Sequence, residues 1–256
     1  MPVVATIHDV LFDELPDCYT PSMRRGLRAA TRGITRRANR LIVPSTRTRD
    51  AVGDRYGVDP ARIDVVPHGV RPLPEAAPER GYGDYVLFVG TLEPRKNLSR
   101  LLDAHAHLEG KGTCRLVVAG PRGWKDEALV RRLGAQRDVI WEGGVDRARL
   151  AALYDGALAV AYPSLGEGFG LPVVEAMSRK RPLLVARDTT CADLAGDAAL
   201  TVDPRDVGSI TEALKALVED DTLRRRLGER GPARAAAYTW ANAAHGTWAS
   251  YARAVA

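Results

Sequence analysis

Short aliphatic and β-branched runs alternate along this chain with stretches that are apolar on a 3.6-residue period. That alternation predicts a parallel sheet with crossover helices, an α/β fold. The runs place strands at Val3–Ile7, Leu41–Pro44, Ile63–Val66, Tyr85–Val89, Arg115–Ala119, Val139–Trp141, Ala157–Tyr162, Pro182–Ala186 and Leu200–Val202. The helical period covers Met23–Ala38, Arg47–Tyr56, Asn97–Glu109, Leu150–Gly156, Ile210–Glu219, Leu223–Ala237 and Trp240–Ala254, with a further helix opening near Pro172. His105 shares a helical face with Leu98, Leu101, Leu102 and Leu108, so it reads as a packing residue rather than a ligand. Between Pro67 and Gly83 the pattern stops: four prolines and three glycines occur there without a helical period. The stretch 67–84 therefore reads as a linker, with 1–66 before it, an alternating α/β pattern over 85–237, and a last helix at 238–256.

Composition narrows the class without naming a function. At 256 residues, 45% hydrophobic and 27% charged, the chain can bury a sizeable core in one or two domains. The net charge of +5 comes mostly from arginine, but Arg24-Arg25 and Arg224-Arg225-Arg226 fall in expected helices and read as solvated faces. No aromatic interleaving or nucleic-acid motif accompanies them, so no nucleic-acid partner is expected. Cys18, Cys114 and Cys191 are scattered and form no Cys-x-x-Cys pair, so neither a zinc site nor a disulfide framework is expected. Met1–Ile7 is apolar but lacks a basic start and meets His8-Asp9 at once, which makes it a strand rather than a signal peptide. No apolar run is long enough for a transmembrane helix, and a cytoplasmic location is expected.

The chemistry gathers in two segments. Pro163–Met177, PSLGEGFGLPVVEAM, reads as a strand end, a glycine-rich loop and a helix start. Gly166, Gly168 and Gly170 let backbone approach a ligand closely, and Pro172 suits the first turn of a helix. The N–H groups of Phe169, Gly170 and Leu171 would then point from a helix N-terminus, a natural phosphate site. Glu167 and Glu175 flank the turn as acceptors for sugar hydroxyls. The second segment, Phe88–Leu98 (FVGTLEPRKNL), sets Arg95 and Lys96 at the mouth of a strand. Ligands of open parallel sheets bind outside the carboxyl ends of the strands, so both segments are expected at one crevice. A phosphate cradle with cations and carboxylates fits a phosphorylated sugar.

Seven segments in order resemble the retaining glycosyltransferases of family 4, which have the GT-B fold. They are Thr6–Phe12, Val43–Val52, Ile63–Val70, Phe88–Leu98, Arg115–Trp124, Gly166–Met177 and Ala195–Pro204. The resemblance implies two Rossmann-like halves joined by a hinge at 67–84, an incomplete amino-terminal one ending at 66 and a complete donor-binding one at 85–237, with a nucleotide-diphosphate sugar as donor substrate and a saccharide or lipid-linked acceptor. No metal-ligand cluster is evident in the sequence, and the cations with the helix dipole make a metal or other cofactor unnecessary. It implies that Arg95 and Lys96 grip the diphosphate, that Glu167 binds the transferred sugar and that Glu175 holds the ribose. Phe169, Gly170 and Leu171 offer phosphate-facing backbone, Val145 meets the base, and Gly90 ends the first strand of the donor-binding half. His8 resembles a histidine of the opposing domain that faces sugar and acceptor. The EPRKN text resembles a mannosyltransferase-like branch and implies mannose on GDP, with a UDP-linked hexose as the other donor.

Two departures stand out. Thr91 occupies a place where many members carry arginine, which leaves that role to Arg95. Lys180 stands where a glycine usually ends the helix after the second glutamate, so a reshaped helix end is expected. A full amino-terminal domain would be about 100–200 residues, and residues 1–66 resemble only its last third. An amino-terminally truncated chain is therefore expected, whether as a fragment, through a start codon placed late or through a truly truncated gene, with an open sheet edge, self-association and negligible transfer by itself. Peripheral contact with a membrane's inner face goes with a lipid-linked acceptor. The competing reading is a nucleotide-sugar-binding remnant without turnover, or half of a two-chain enzyme. A nicotinamide-dependent fold is disfavoured because GTLEPRKN lacks the spaced glycines of the dinucleotide fingerprint.

Overall fold

A computed structural model describes residues 1–108 and 114–255. In chain order the elements are β1 (Val4–Thr6), α1 (Leu11–Glu14), α2 (Pro21–Arg37), β2 (Arg40–Val43), α3 (Thr46–Tyr56) and β3 (Ile63–Val65). There follow β4 (Tyr85–Val89), α4 (Leu98–Ala106), β5 (Arg115–Ala119), α5 (Glu127–Ala135), β6 (Val139–Gly143), α6 (Arg147–Gly156), β7 (Ala159–Tyr162) and α7 (Leu171–Ser178). The remaining elements are β8 (Leu183–Ala186), α8 (Thr190–Ala195), β9 (Ala199–Val202), α9 (Val207–Glu219), α10 (Asp221–Ala235) and α11 (Trp240–Val255). Short polar residues set many helix starts. Thr20, Ser45, Asp146, Thr189, Asp206 and Asp220 each accept a backbone N–H of the first turn that the helix itself leaves unbonded.

The chain divides into two compact units. The larger one, Pro72–Leu165 with Pro172–Ala236, holds a six-stranded parallel sheet in the order β6-β5-β4-β7-β8-β9. Its strands are apolar on both faces, as a parallel sheet covered by helices on each side requires. Phe88, Leu101, Leu116, Leu184 and Leu214 are among the fully buried side chains of its core. The smaller unit is Met1–Arg71 with Gly166–Leu171 and Ala237–Ala256. It has a three-stranded parallel sheet in the order β1-β2-β3. Asp64 in β3 ties this sheet to α11, accepting from Arg40, Ser250 and Arg253. Gly246 of α11 packs on Val66 so closely that a Cβ there would lie 2.9 Å from a Val66 methyl.

These units cut the chain differently from the boundaries expected at 66, 84 and 237. Residues 67–71 group with the first stretch, 72–84 with the second, and Gly166–Leu171 with the smaller unit. The physical reason for the last is contact: a Cβ on Gly168 would lie 2.0 Å from the His8 carbonyl oxygen, and Thr48 Oγ1 donates to the Gly168 carbonyl at 3.4 Å. The expected strands all form, with ends moved by one or two residues. Helix α6 starts at Arg147 rather than Leu150 because Asp146 caps it, its carboxylate accepting the Arg149 N–H at 2.7 Å. The structure adds α1, α5 and α8, which the periodicity does not predict. Helix α4 ends at Ala106, and the expected end at Glu109 lies outside the described residues. His105 is buried with Nε2 at 2.9 Å from the Cys114 carbonyl, a packing role.

Candidate active site

In the larger unit the chain runs from β4 outward through β5 to β6, then crosses back to β7 beside β4 and runs outward again. Between β4 and β7 the strand order reverses, and a crevice at their carboxyl ends is the usual binding place of such a sheet. Gly90 follows β4 with φ 155°, and Gly120 follows β5. A Cβ on Gly120 would lie 1.9 Å from the Gly90 carbonyl oxygen, so the two loops meet backbone to backbone.

After Gly90 the chain makes a 3₁₀ turn at Pro94–Lys96. Arg95 pairs with the buried Glu93 at 2.6 Å. Lys96 is 8% exposed, donates to the Tyr162 hydroxyl of β7 and sits 4.9 Å from that ring's centroid. Asn97 takes the left-handed conformation, φ 61°, which asparagine tolerates better than most side chains. Its amide donates to the Pro163 carbonyl at 3.0 Å and to that of Pro204 at 2.6 Å. The Leu165 N–H donates to the Arg95 carbonyl at 2.8 Å. The two cations expected at a strand mouth thus stand at the switch point, on a loop bonded to the loop after β7. Ser164, on that second loop, carries the one buried side-chain oxygen among the described residues that has no hydrogen-bond partner.

Val145 lies half-buried between Gly143, φ 68°, at the end of β6 and the cap Asp146. Glu175 on α7 accepts from the Tyr154 hydroxyl of α6 at 3.0 Å. Burial pushes the Glu175 carboxyl above its ordinary value, partly offset by the Tyr154 hydrogen bond and by the Arg147 charge. Burial, reinforced by Glu175, holds the Tyr154 phenol well above its ordinary range, so it stays a donor. Helix α7 ends at Ser178, and Lys180 takes φ 54°, the left-handed place where a glycine was expected to serve. The turn is held by its Lys180 N–H to the Met177 carbonyl at 3.1 Å and by α10, where a Cβ on Gly228 would lie 2.4 Å from the Lys180 carbonyl. A left-handed non-glycine residue costs about 1–2 kcal/mol, which this packing offsets.

The remaining expected residues fall in the smaller unit. His8 is exposed, with Nδ1 3.4 Å from Nε2 of His68. The His68 ring meets Phe169 edge-on at 5.2 Å, and Phe169 meets Tyr238 in the same way at 5.6 Å. Glu167 is half-buried between Gly166 and Gly168, Gly170 has φ 118°, and Leu171 is 43% exposed. The structure therefore brings His8 together with the Glu167–Leu171 loop, and Gly90, Arg95 and Lys96 with the β7 loop, while the Tyr154 bond holds Glu175 to α6. Sequence reasoning misses Glu93, Tyr154, Tyr162 and His68. The partners of Tyr154, Tyr162 and His68 lie far along the chain, and only the alternation that placed Tyr162 at a strand end pointed to any of these three; Glu93 pairs locally, with Arg95 two positions on.

Residues 73–234 match the family of group 1 glycosyl transferases, and residues 1–72 match glycosyltransferase family 4. The chain belongs to the group 1 glycosyltransferases. Among curated members, the O-antigen chain mannosyltransferase B of Escherichia coli is 38% identical over 163 residues, covering 62% of this chain and 43% of that protein. The D-inositol 3-phosphate glycosyltransferase of Nocardia farcinica is 32% identical over 87% of this chain and 54% of its own length. The MMP α-(1→4)-mannosyltransferase of Mycolicibacterium hassiacum is 30% identical over all of this chain and 66% of its own. The chain thus spans between under half and two thirds of the length of these relatives.

Solved glycosyltransferase structures share the α/β GT-B fold. Sucrose-phosphate synthase from Thermosynechococcus elongatus superposes with TM-score 0.78 at 22% identity, over 98% of this chain and 67% of that one. Anabaena HepE, solved with UDP and glucose, gives TM-score 0.80 at 19% identity, over 100% of this chain and 72% of that one. No helix among the described residues is long and apolar enough to cross a membrane.

Proposed function

We propose that this group 1 glycosyltransferase chain binds a nucleotide-diphosphate sugar and serves transfer of its hexose, with retention, to a saccharide or lipid-linked acceptor. The observation that carries this reading is the pair Arg95 and Lys96 at the switch point of the larger sheet, on a loop bonded to the β7 loop. Breaking the glycosidic bond builds negative charge on the leaving diphosphate, and fixed cations and backbone N–H groups stabilise such charge without reorganising. In this reading Arg95 and Lys96 of the larger unit take the diphosphate beside Gly90. Val145 meets the base, Glu175 takes the ribose hydroxyls, Glu167 takes the sugar, and His8 faces sugar and acceptor. Support for the donor class comes from HepE, solved with UDP and glucose. Support for mannose as the hexose comes from two mannosyltransferase relatives. The reaction takes place in the cytoplasm, at the inner membrane face where the acceptor carries a lipid.

The test is incubation of the chain with GDP-mannose and with UDP-glucose, following nucleoside diphosphate release and the anomeric proton of the released sugar by NMR. Release above background, with the sugar first appearing in the donor's own configuration, supports the proposal. Binding without release favours a nucleotide-sugar-binding module. The absence of both binding and release overturns the donor assignment.

A further inference from the structure

His68 lies outside every role assigned above, yet its backbone is among the most tightly held in the smaller unit. The Val66 N–H donates to the Val43 carbonyl at 2.8 Å, and the Val70 N–H donates to the Tyr238 carbonyl at 2.9 Å. Between them, a Cβ on Gly69 would lie 2.3 Å from the Trp240 backbone nitrogen, so the chain is pressed against the start of α11. From this fixed point the half-buried His68 ring reaches two ways. Its Nε2 is 3.4 Å from His8 Nδ1, and its ring meets the edge of Phe169 at 5.2 Å. His8 is the exposed partner, and Phe169 is buried in the loop that carries Glu167. The same loop touches His8 a second time, through the close approach of Gly168 to the His8 carbonyl.

We infer that His68 is a positioning residue, which fixes the tautomer and orientation of the His8 imidazole and joins it to the Glu167–Leu171 loop. The inference rests on the proposed role of His8 toward the sugar and acceptor. A neutral imidazole has one N–H, so a bond between Nδ1 of one ring and Nε2 of the other requires one donor and one acceptor. If His8 donates from Nδ1, the Nε2 of His68 is bare and both rings carry their proton on Nδ1. If His68 donates from Nε2, both rings carry it on Nε2. The two rings must therefore share a tautomer, so the state of His8 Nε2 is tied to that of His68: bare when His8 donates, protonated when His8 accepts. Burial and the neighbouring His8 hold His68 below the ordinary histidine value, which favours a neutral His68 ring. The 3.4 Å separation is long for such a bond, as is common for catalytic hydrogen bonds before substrate arrives.

The experiment is long-range ¹H–¹⁵N NMR of the five imidazoles in the full chain, without ligand. His8 and His68 are assigned through His8→Asn, His68→Phe and His68→Gln. The inference expects one shared tautomer in the wild type. It expects the His8 ring to change tautomer population in His68→Phe, which keeps an aromatic edge for Phe169, and to be restored toward wild type in His68→Gln, which keeps an acceptor and donor at the Nε2 reach. Different tautomers on the two rings overturn the inference. So does an unchanged His8 in a folded His68→Phe chain. Should that variant not fold, the wild-type tautomers still decide. In donor hydrolysis, kcat is expected to fall by up to about 100-fold in His68→Phe with KM little changed. Failure of hydrolysis in the wild type would count against the proposed function, while the NMR result decides the role of His68 independently.

Discussion

The side-chain amide of Asn97 donates to the carbonyl of Pro163 across 3.0 Å, and so bonds the loop after β4 to the loop after β7. The same amide donates to Pro204, and its oxygen accepts from Arg100 at 2.9 Å. Asn97 thereby fixes the turn that ends in Arg95 and Lys96. Asn97→Ala is expected to lose about 2–4 kcal/mol of stability, from the lost hydrogen bonds and from a left-handed alanine. Asn97→Gly keeps the backbone freedom and is expected to lose only about 1–3 kcal/mol, the worth of two such bonds. Urea unfolding of both variants checks this. Stabilities equal to wild type in both would show that the loop-to-loop bonds contribute nothing.

Glu175 depends on Tyr154 for a donor at 3.0 Å. Tyr154→Phe removes a hydrogen bond to a carboxylate and is expected to cost about 1.5–3 kcal/mol of stability at neutral pH. The pH dependence follows from burial, which raises the folded-state value of Glu175 above 4.5. Its neutral form is favoured by folding, so this group's contribution to stability is fully present below 4.5 and is lost as pH rises through the raised value. Binding of a ribose hydroxyl by the carboxylate has the opposite slope, weakening as pH falls through that value. In Tyr154→Phe the weakening should begin at higher pH, because the bond that lowered the value is gone. Calorimetric titration with GDP between pH 4.5 and 8 reads it, and superimposable profiles for variant and wild type would contradict the role of Tyr154.

Asp64 is the anchor of α11 on the smaller sheet. The hydrogen bond from Arg40 comes first among the causes that hold its carboxyl down at about 2, ahead of those from Ser250 and the charge of Arg253, and against the effect of burial. A depressed value gives stability that is present above the ordinary 3.8 and is lost as pH falls from there through about 2. Asp64→Asn is expected to lower stability by about 1.5–3 kcal/mol at pH 7. The difference from wild type should shrink progressively below pH 3.8. Chemical denaturation across this range tests it, and a difference that stays constant down to pH 2 would assign the effect to something other than the charge.

Much of the fold is legible in the sequence because its strands are buried on both faces and read as unbroken apolar runs, as in Tyr85–Val89 and Leu183–Ala186. The helices α5 and α8 are too short, nine and six residues, to show several apolar repeats. The turn at Lys180 was legible as a strained helix end, since lysine stands where a left-handed residue is needed. What holds that turn, the close approach of Gly228, was not, because it depends on a helix some fifty positions on in the chain. The same limit applies to the candidate site. Gly90, Arg95, Lys96 and Glu175 are visible from local pattern and from resemblance, but the partners Tyr162 and Tyr154 are specified by tertiary packing. His68 sits in a proline- and glycine-bounded turn with no periodicity to mark it, and only the ring contacts reveal it.

The central claim is that Arg95 and Lys96 hold a nucleoside diphosphate. Its most direct measurement is isothermal calorimetry of GDP and UDP with the wild-type chain, Arg95→Ala and Lys96→Ala, each variant first shown to be folded by circular dichroism. Losing one hydrogen-bonded charge should cost about 1.5–3 kcal/mol of binding, roughly a ten- to hundredfold weaker dissociation constant. Binding by the wild type with a loss of that size in each variant is the predicted result. Equal affinity in all three proteins, or no binding of either nucleotide to the wild type, would contradict it.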